Sequence, residues 1–312
     1  MTLDPQVQGL LQALAALPLP DFTTLTAADY RAMAGGRAGM FAAGDEVARI
    51  EDREIAGPGG DLKLRLYVPE GQGPFPLTLF CHGGGFVACS LDTHDNVCRS
   101  LAARAQTLVV SVDYRLAPEA PFPAAVEDAL AALAWLREHA AEIGGDGTRI
   151  GVAGDSAGGN LAAVLAQLAQ VRGWTLRHQL LFYPVTDCAA ESESWRSCGE
   201  GYYLTAPLMR WFIAQYLPQG RDAADPRASP LRATSFAGLA PATILTAQYD
   251  PLRDEGEAYA LSLRLAGVPA ELQRWPGQIH GYISMLGVIP AADEALSYAA
   301  AALRRAYAKG GK

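Results

Sequence analysis

Residues 150–160 read Ile150-Gly151-Val152-Ala153-Gly154-Asp155-Ser156-Ala157-Gly158-Gly159-Asn160, and a helical pattern follows over 161–171. Residues 150–153 form a short apolar run, the mark of a buried strand. The next five match G-x-S-x-G, the spacing of a nucleophile held on a sharp strand-to-helix turn. Such a turn costs about 1–3 kcal/mol of backbone strain and lifts the serine hydroxyl clear of the sheet. Gly154 and Gly158 carry no side chain, so the strand and the helix can approach that closely.

The same rhythm extends outward in both directions. Leu62, Leu64, Leu66 and Val68 alternate with Lys63, Arg65 and Tyr67 at the period of a strand with one wet face. Strand-like runs follow at 77–81, 108–112, 179–183, 242–247 and 270–275, and helical patterns at 124–139, 254–265 and 291–307. This alternation predicts an α/β fold, a mostly parallel sheet flanked by helices. Residues 1–50 carry two helical patches, one on Val7, Leu10, Leu11 and Leu14 and one over 27–40. The long insert 187–235 holds a capped helix start, Thr205-Ala206-Pro207, followed by Leu208, Met209, Trp211, Phe212, Tyr216 and Leu217. It reads either as core packing or as a wall over a pocket. With no repeats and no low-complexity linker, 1–312 is expected to be one domain.

The 312 residues are half apolar and carry a net charge of −8, with a pI near 5.2. Acidity without a Lys/Arg run argues against nucleic acid. Five cysteines without C-x-x-C spacing argue against a zinc site or a disulfide scaffold and predict free thiols; a Cys188–Cys198 bridge would require export. The apolar stretch 9–20 resembles a signal core. Yet no basic residue precedes Arg31, and Gln12 interrupts it, so a cytoplasmic protein without a membrane span is expected.

A serine nucleophile needs a base. Among five histidines, His139 ends a helical pattern, His178 starts a strand and His94 lies in a polar helix-like segment. His280, in Gly277-Gln278-Ile279-His280-Gly281-Tyr282, reads as lying in a loop between a strand and a helical pattern near the C-terminus, where α/β proteins place reactive groups. The carboxylate that orients it should lie between Ser156 and His280 in the chain. Asp250 follows a buried strand directly, with Asp254 and Glu255 as alternatives that begin the next helix. Finally, Cys81-His82-Gly83-Gly84-Gly85-Phe86 ends a strand. Glycine amides there can face the oxygen of a reacting carbonyl, with Ala157 adding a third donor. A phosphate cradle is the rival, but no Gly-Lys-Ser/Thr follows.

Taken in order, His82-Gly83-Gly84-Gly85-Phe86, Asp113-Tyr114-Arg115-Leu116-Ala117-Pro118-Glu119, Gly154-Asp155-Ser156-Ala157-Gly158-Gly159, Tyr183-Pro184, Asp250-Pro251-Leu252-Arg253-Asp254-Glu255 and Ile279-His280-Gly281 resemble the hormone-sensitive-lipase family of serine esterases. The resemblance implies an α/β-hydrolase fold with a helical cap made from about 1–50 and about 188–220. It implies a carboxylesterase for short- to medium-chain esters, working through an acyl-enzyme on Ser156, His280 and Asp250. Gly83, Gly84 and Ala157 would be the oxyanion donors and His82 a structural brace. Neither metal nor cofactor is implied; the partner is a small-molecule ester, with room for a homodimer. Phe86, Tyr203, Leu204, Trp211, Leu252 and Ile283 are pocket candidates by position. An amidase or deacetylase could run on the same triad, and plant gibberellin receptors of this family have lost the histidine that His280 retains here. Two departures stand out: Tyr282 where many relatives have Phe, and Cys89 where glycine is usual.

Overall fold

The computed structural model describes residues 2–16, 21–220 and 222–308; part of the apolar stretch 9–20 therefore lies outside the described residues. In chain order the elements are α1 (Pro5–Ala15), α2 (Ala27–Ala38), β1 (Arg49–Gly57), β2 (Gly60–Val68), β3 (Phe75–Cys81), α3 (Asp95–Ala105), β4 (Leu108–Val112), α4 (Ala124–Glu138) and β5 (Gly145–Asp155). Then come α5 (Ala157–Val171), β6 (Gln179–Phe182), α6 (Glu193–Ser197), α7 (Ala206–Tyr216), β7 (Ala242–Tyr249), α8 (Arg253–Leu265), β8 (Ala270–Ile279) and α9 (Pro290–Ala308). The eight strands form one sheet in the order β1-β2-β4-β3-β5-β6-β7-β8. β1 and β2 are antiparallel to their neighbours, and β4, β3 and β5 to β8 run parallel.

Side chains alternate across this sheet into two cores. Leu77, Leu79, Val110, Val152, Leu181 and Ile244 pack beneath α4, α5 and α8. Phe80, Val109, Ala153, Leu180, Phe182 and Leu245 face α3 and α9. Covering both faces is why the central strands read as continuous apolar runs. The polar residue Thr78 is accommodated by bonds from its Oγ1 to Thr107 Oγ1 (3.0 Å) and Tyr307 Oη (2.7 Å).

β1 carries no apolar alternation and was not expected as a strand. It is an edge strand whose only buried residue is Ile55, and charged pairs such as Arg65–Asp52 (2.6 Å) line it. Its pairing comes from the backbone of β2, which hydrophobic periodicity does not register. α7 begins where the Thr205 cap predicts, with Thr205 Oγ1 accepting from the Leu208 amide. Among the described residues no helix is long and apolar enough to cross a membrane, and all five cysteines are free.

The register positions the chemistry. Cys81 pairs with Gly154, Asp155 with Phe182, and Tyr249 with Ile279. The next residue along β3, β5, β7 and β8 is therefore His82, Ser156, Asp250 and His280, all at the carboxyl edge of parallel strands.

Two segments cover that edge. α1 sets Val7 against Ile279, Met285 and Ile289, and the Asp4 amide donates to Gly277 O (3.1 Å). α2 lays the Tyr30 ring on Trp211 and Phe212 of α7 (5.6 and 5.1 Å between centroids). From the same helix Arg31 donates to Val87 O (2.7 Å) and Ala117 O (2.9 Å) while pairing with Glu119.

Candidate active site

Ser156 links β5 to α5 at φ 55°, ψ −119°, a left-handed conformation that side chains rarely adopt. Glycines make this turn sterically feasible. A Cβ on Gly154 would run into the Gly158 backbone, one on Gly158 into the carbonyls of Cys81 and His82, and one on Gly159 into Pro184. The strained serine is pinned by its own backbone: its amide donates to Phe182 O (2.9 Å), and its carbonyl accepts from Asn160 and Val185.

Ser156 Oγ lies 2.9 Å from His280 Nε2, and His280 Nδ1 lies 2.8 Å from Asp250 Oδ2. The other Asp250 oxygen accepts from the Leu252 amide (2.8 Å), so both carboxylate oxygens are engaged in a fully buried site. Ser156 and His280 are each 7 % exposed. The alternative acids serve elsewhere: Asp254 accepts from the Ser194 amide (2.8 Å), and Glu255 from the amides of Thr186 (2.7 Å) and Asp187 (3.3 Å) and from Trp195 Nε1 (3.2 Å). Burial pushes the Glu255 carboxyl up to about 8, although those three donors pull the other way.

The glycine loop is packed from every side. Gly84 and Gly85 take positive φ (114° and 64°), and Cβ atoms there would strike Ala88 O and the Phe212 ring. Phe86 stacks on Tyr216 at 3.7 Å, and the Ala117 amide donates to Phe86 O (2.8 Å). Among the expected oxyanion donors, Gly83 departs from expectation. Its amide donates to Asp155 Oδ1 at 2.8 Å, which leaves no hydrogen for a substrate. No protein acceptor is recorded for the amides of Gly84, Gly85 or Ala157 among the described residues. The Asp155 carboxylate also fills the space that a Cβ on Gly83 would need.

A family model described as the alpha/beta hydrolase fold matches residues 78–284. The carboxylesterase NlhH of Mycobacterium tuberculosis is 43 % identical over 314 residues, 97 % of this chain and 96 % of its own. The ethyl acetate hydrolase of Pseudomonas putida is 43 % identical over 267 residues, 84 % of each chain. The solved structure of a hyperthermophilic esterase from the archaeon Pyrobaculum calidifontis superposes with a TM-score of 0.95 at 42 % identity, covering 98 % of this chain and 99 % of that one.

The chain belongs to the hormone-sensitive-lipase family of α/β-hydrolases.

Within this family frame, the remaining motif residues have visible work. His82 is fully buried; its Nδ1 lies 2.7 Å from Gly83 O, and its ring stacks on Tyr114 (4.4 Å), whose hydroxyl donates to His82 O (2.7 Å). Burial, reinforced by neighbouring His94, pushes the His82 imidazole down to about 4, so it stays neutral at ordinary pH. Arg115 forks onto Asp128 behind the same segment. His139 stacks on Trp135 (5.0 Å), and His178 Nε2 meets Thr243 Oγ1 (3.0 Å); both lie away from Ser156.

The pocket candidates divide. Phe86 sits on the glycine loop, Tyr203 beside Gly281, and Leu252 donates its amide to Asp250. Leu204 and Trp211 are buried in the core that holds α7. Ile283, in the short turn Tyr282–Ser284, is buried in the core on the α3/α9 side of the sheet, the cluster that also holds Tyr183. Tyr282 is buried in the same core, and its hydroxyl has no hydrogen-bond partner among the described residues. Cys89, in a left-handed conformation (φ 72°), packs near Gly84, and burial pushes its thiol up to about 12.

Three residues around the site carried no expected role. Tyr183, also left-handed (φ 35°), sets its ring 4.5 Å from the His280 imidazole. Beside Ser156, His94 Nε2 meets Asp155 Oδ1 at 3.1 Å. The Tyr183-Pro184 and Gly-Asp-Ser spellings were the only sequence signals for Tyr183 and Asp155.

Proposed function

We propose that this protein hydrolyses carboxylic esters of short to medium acyl chains through a Ser156–His280–Asp250 triad. The chain of contacts from Ser156 Oγ through His280 to buried Asp250, at 2.9 and 2.8 Å, carries the reading. The names of its relatives support it, and the ethyl acetate hydrolase supports a short acyl group.

Ser156 Oγ attacks the ester carbonyl carbon while His280 Nε2 takes the hydroxyl proton. The carbonyl π electrons move onto oxygen, and the amides of Gly84, Gly85 and Ala157 stabilise that charge. Preorganised donors of this kind are each worth about 2.7–4 kcal/mol of barrier. When the tetrahedral species collapses, the C–O bond to the alcohol breaks and the leaving oxygen takes the proton from His280. Water then repeats the sequence on the acyl-enzyme, releasing the acid and restoring Ser156. Throughout, Asp250 holds Nδ1–H, fixing the tautomer and balancing the imidazolium charge. Segments 1–50 and 188–220, which bring Tyr30, Arg31, Trp211 and Phe212 over the glycine loop, act as the cap.

Ser156→Ala should abolish turnover of a short-chain ester and labelling by an organophosphate, with the thermal midpoint nearly unchanged. Substantial residual hydrolysis by the purified variant would remove Ser156 from the mechanism. A butyrate ester compared with its matching amide separates esterase from amidase; equal rates on both would sink the ester preference.

A further inference from the structure

Asp155 precedes the nucleophile by one residue and is only 5 % exposed. Its Oδ1 lies 3.1 Å from His94 Nε2 and also accepts the Gly83 amide. His94, just ahead of α3, is itself held from behind: its Nδ1 lies 2.9 Å from Thr93 Oγ1. That hydroxyl accepts from the Ser90 amide and donates to Ser90 O, both at 2.9 Å. Thr93 Oγ1 thus holds the imidazole at Nδ1 while Nε2 faces Asp155 Oδ1. Burial by itself would raise the Asp155 carboxyl, but His94 above all, then His280 and His82, holds it below its ordinary value.

We propose that Asp155 and His94 are a positioning pair for the oxyanion loop: the carboxylate fixes Gly83 so that the amides of Gly84 and Gly85 face the carbonyl above Ser156, and His94 fixes the carboxylate. The inference rests on the esterase reading. Two physical points favour it. A backbone N–H donating to an ionised carboxylate is stronger than one donating to a neutral oxygen, so the loop is held stiffly at the residue before its free amides. Asp155 is also covalently next to Ser156, so one side chain keeps nucleophile and oxyanion donors in register. Neither residue touches substrate; both act through Gly83.

The test uses full-length Asp155→Asn, His94→Gln and the double variant. The sequence has two His-Gly steps, His82-Gly83 and His280-Gly281. Labelling histidine carbonyls with 13C and glycine amides with 15N therefore isolates Gly83, with Gly281 as a control beside the triad. The Gly83 amide should shift in both single variants while Gly281 stays. For Asp155→Asn, kcat on a short-chain ester should fall about 100-fold, the penalty of oxyanion donors displaced by about 1 Å. Affinity for a trifluoromethyl ketone, whose adduct places an oxyanion in the same site, should fall by a similar factor while KM changes little. His94→Gln should fall in the same direction by a smaller factor, and the double variant should be no worse than Asp155→Asn.

An unmoved Gly83 resonance in His94→Gln or Asp155→Asn overturns the pair whatever the activity. So does a loss confined to KM, or fully additive effects in the double variant. A wild-type protein without ester turnover overturns the esterase reading instead, and the Gly83 resonance still decides the pairing.

Discussion

Replacing Asp250 by asparagine keeps the shape of the side chain and changes only which atoms accept. The carboxylate has two engaged oxygens, one on the Leu252 amide and one on His280 Nδ1, each at 2.8 Å, and no solvent access. Asparagine can satisfy only one of them. If its oxygen faces Nδ1, its NH2 meets the Leu252 amide, and two buried donors facing each other cost about 1–3 kcal/mol. If its oxygen faces Leu252, the NH2 meets Nδ1, which must then accept. The imidazole proton moves to Nε2 and points at Ser156 Oγ, so the base is lost. The second arrangement is favoured by a factor of about 5 to 150, the donor clash converted at 1.36 kcal/mol per tenfold. Even the minority with the correct tautomer lacks the charge that stabilises the imidazolium. The combined loss is about 10⁴ in kcat, as for the same exchange in serine-protease triads. The assay is initial-rate hydrolysis of a short-chain nitrophenyl ester, with a thermal scan to establish folding. A folded variant that keeps more than about a hundredth of wild-type turnover refutes both the assignment and the tautomer argument.

Three further outcomes follow from the packing. Gly158→Ala puts a methyl group against the backbone carbonyls of Cys81 and His82, which cannot rotate away. It should lower the unfolding free energy by about 1–3 kcal/mol or more, and an unchanged urea midpoint would contradict the close approach of β3 to α5. The Cys89 thiol, pushed up to about 12, has almost no thiolate at neutral pH, so iodoacetamide at pH 7.5 should leave ester turnover intact; inactivation tracking alkylation of Cys89 would refute this. Glu255, pushed up to about 8, holds its proton more tightly folded than unfolded. Its contribution to stability is therefore present near pH 5 and declines as pH rises toward 8. Urea midpoints of wild type and Glu255→Gln should show the wild-type advantage shrinking over that range, and a constant difference would count against it.

Most of the parallel core was legible because both sheet faces are dry, so β3, β4, β5, β6 and β7 are written in apolar residues whatever their neighbours. β1 was not, since an edge strand with charged side chains on both faces is stabilised by backbone pairing with β2. Boundaries slipped where pairing outran apolarity. β8 continues through Pro276 and Gly277 to Ile279, so what reads as a loop before His280 is the end of a strand. The site shows the same split. Ser156 is marked by the glycines its turn demands, and His280 and Asp250 by strand ends. Gly83, however, is spelled the same as Gly84 and Gly85, and nothing local says that a carboxylate seventy residues away claims its amide.

The sequence by itself determined the fold class and the glycine-framed turn at Ser156, and it singled out Ser156, His280 and Asp250, which the structure brings into hydrogen-bond contact. Those depend on local constraints: periodicity, glycines that admit a close approach, and chain order. Only the tertiary structure decided which amides are free, which side of the sheet Ile283 and Tyr282 enter, and that Asp155 and His94 are partners. These are questions of which hydrogen-bonding groups meet across the sheet edge, and a donor already used by one partner is unavailable to another. That bookkeeping exists only once β3, β5 and α3 have been brought together.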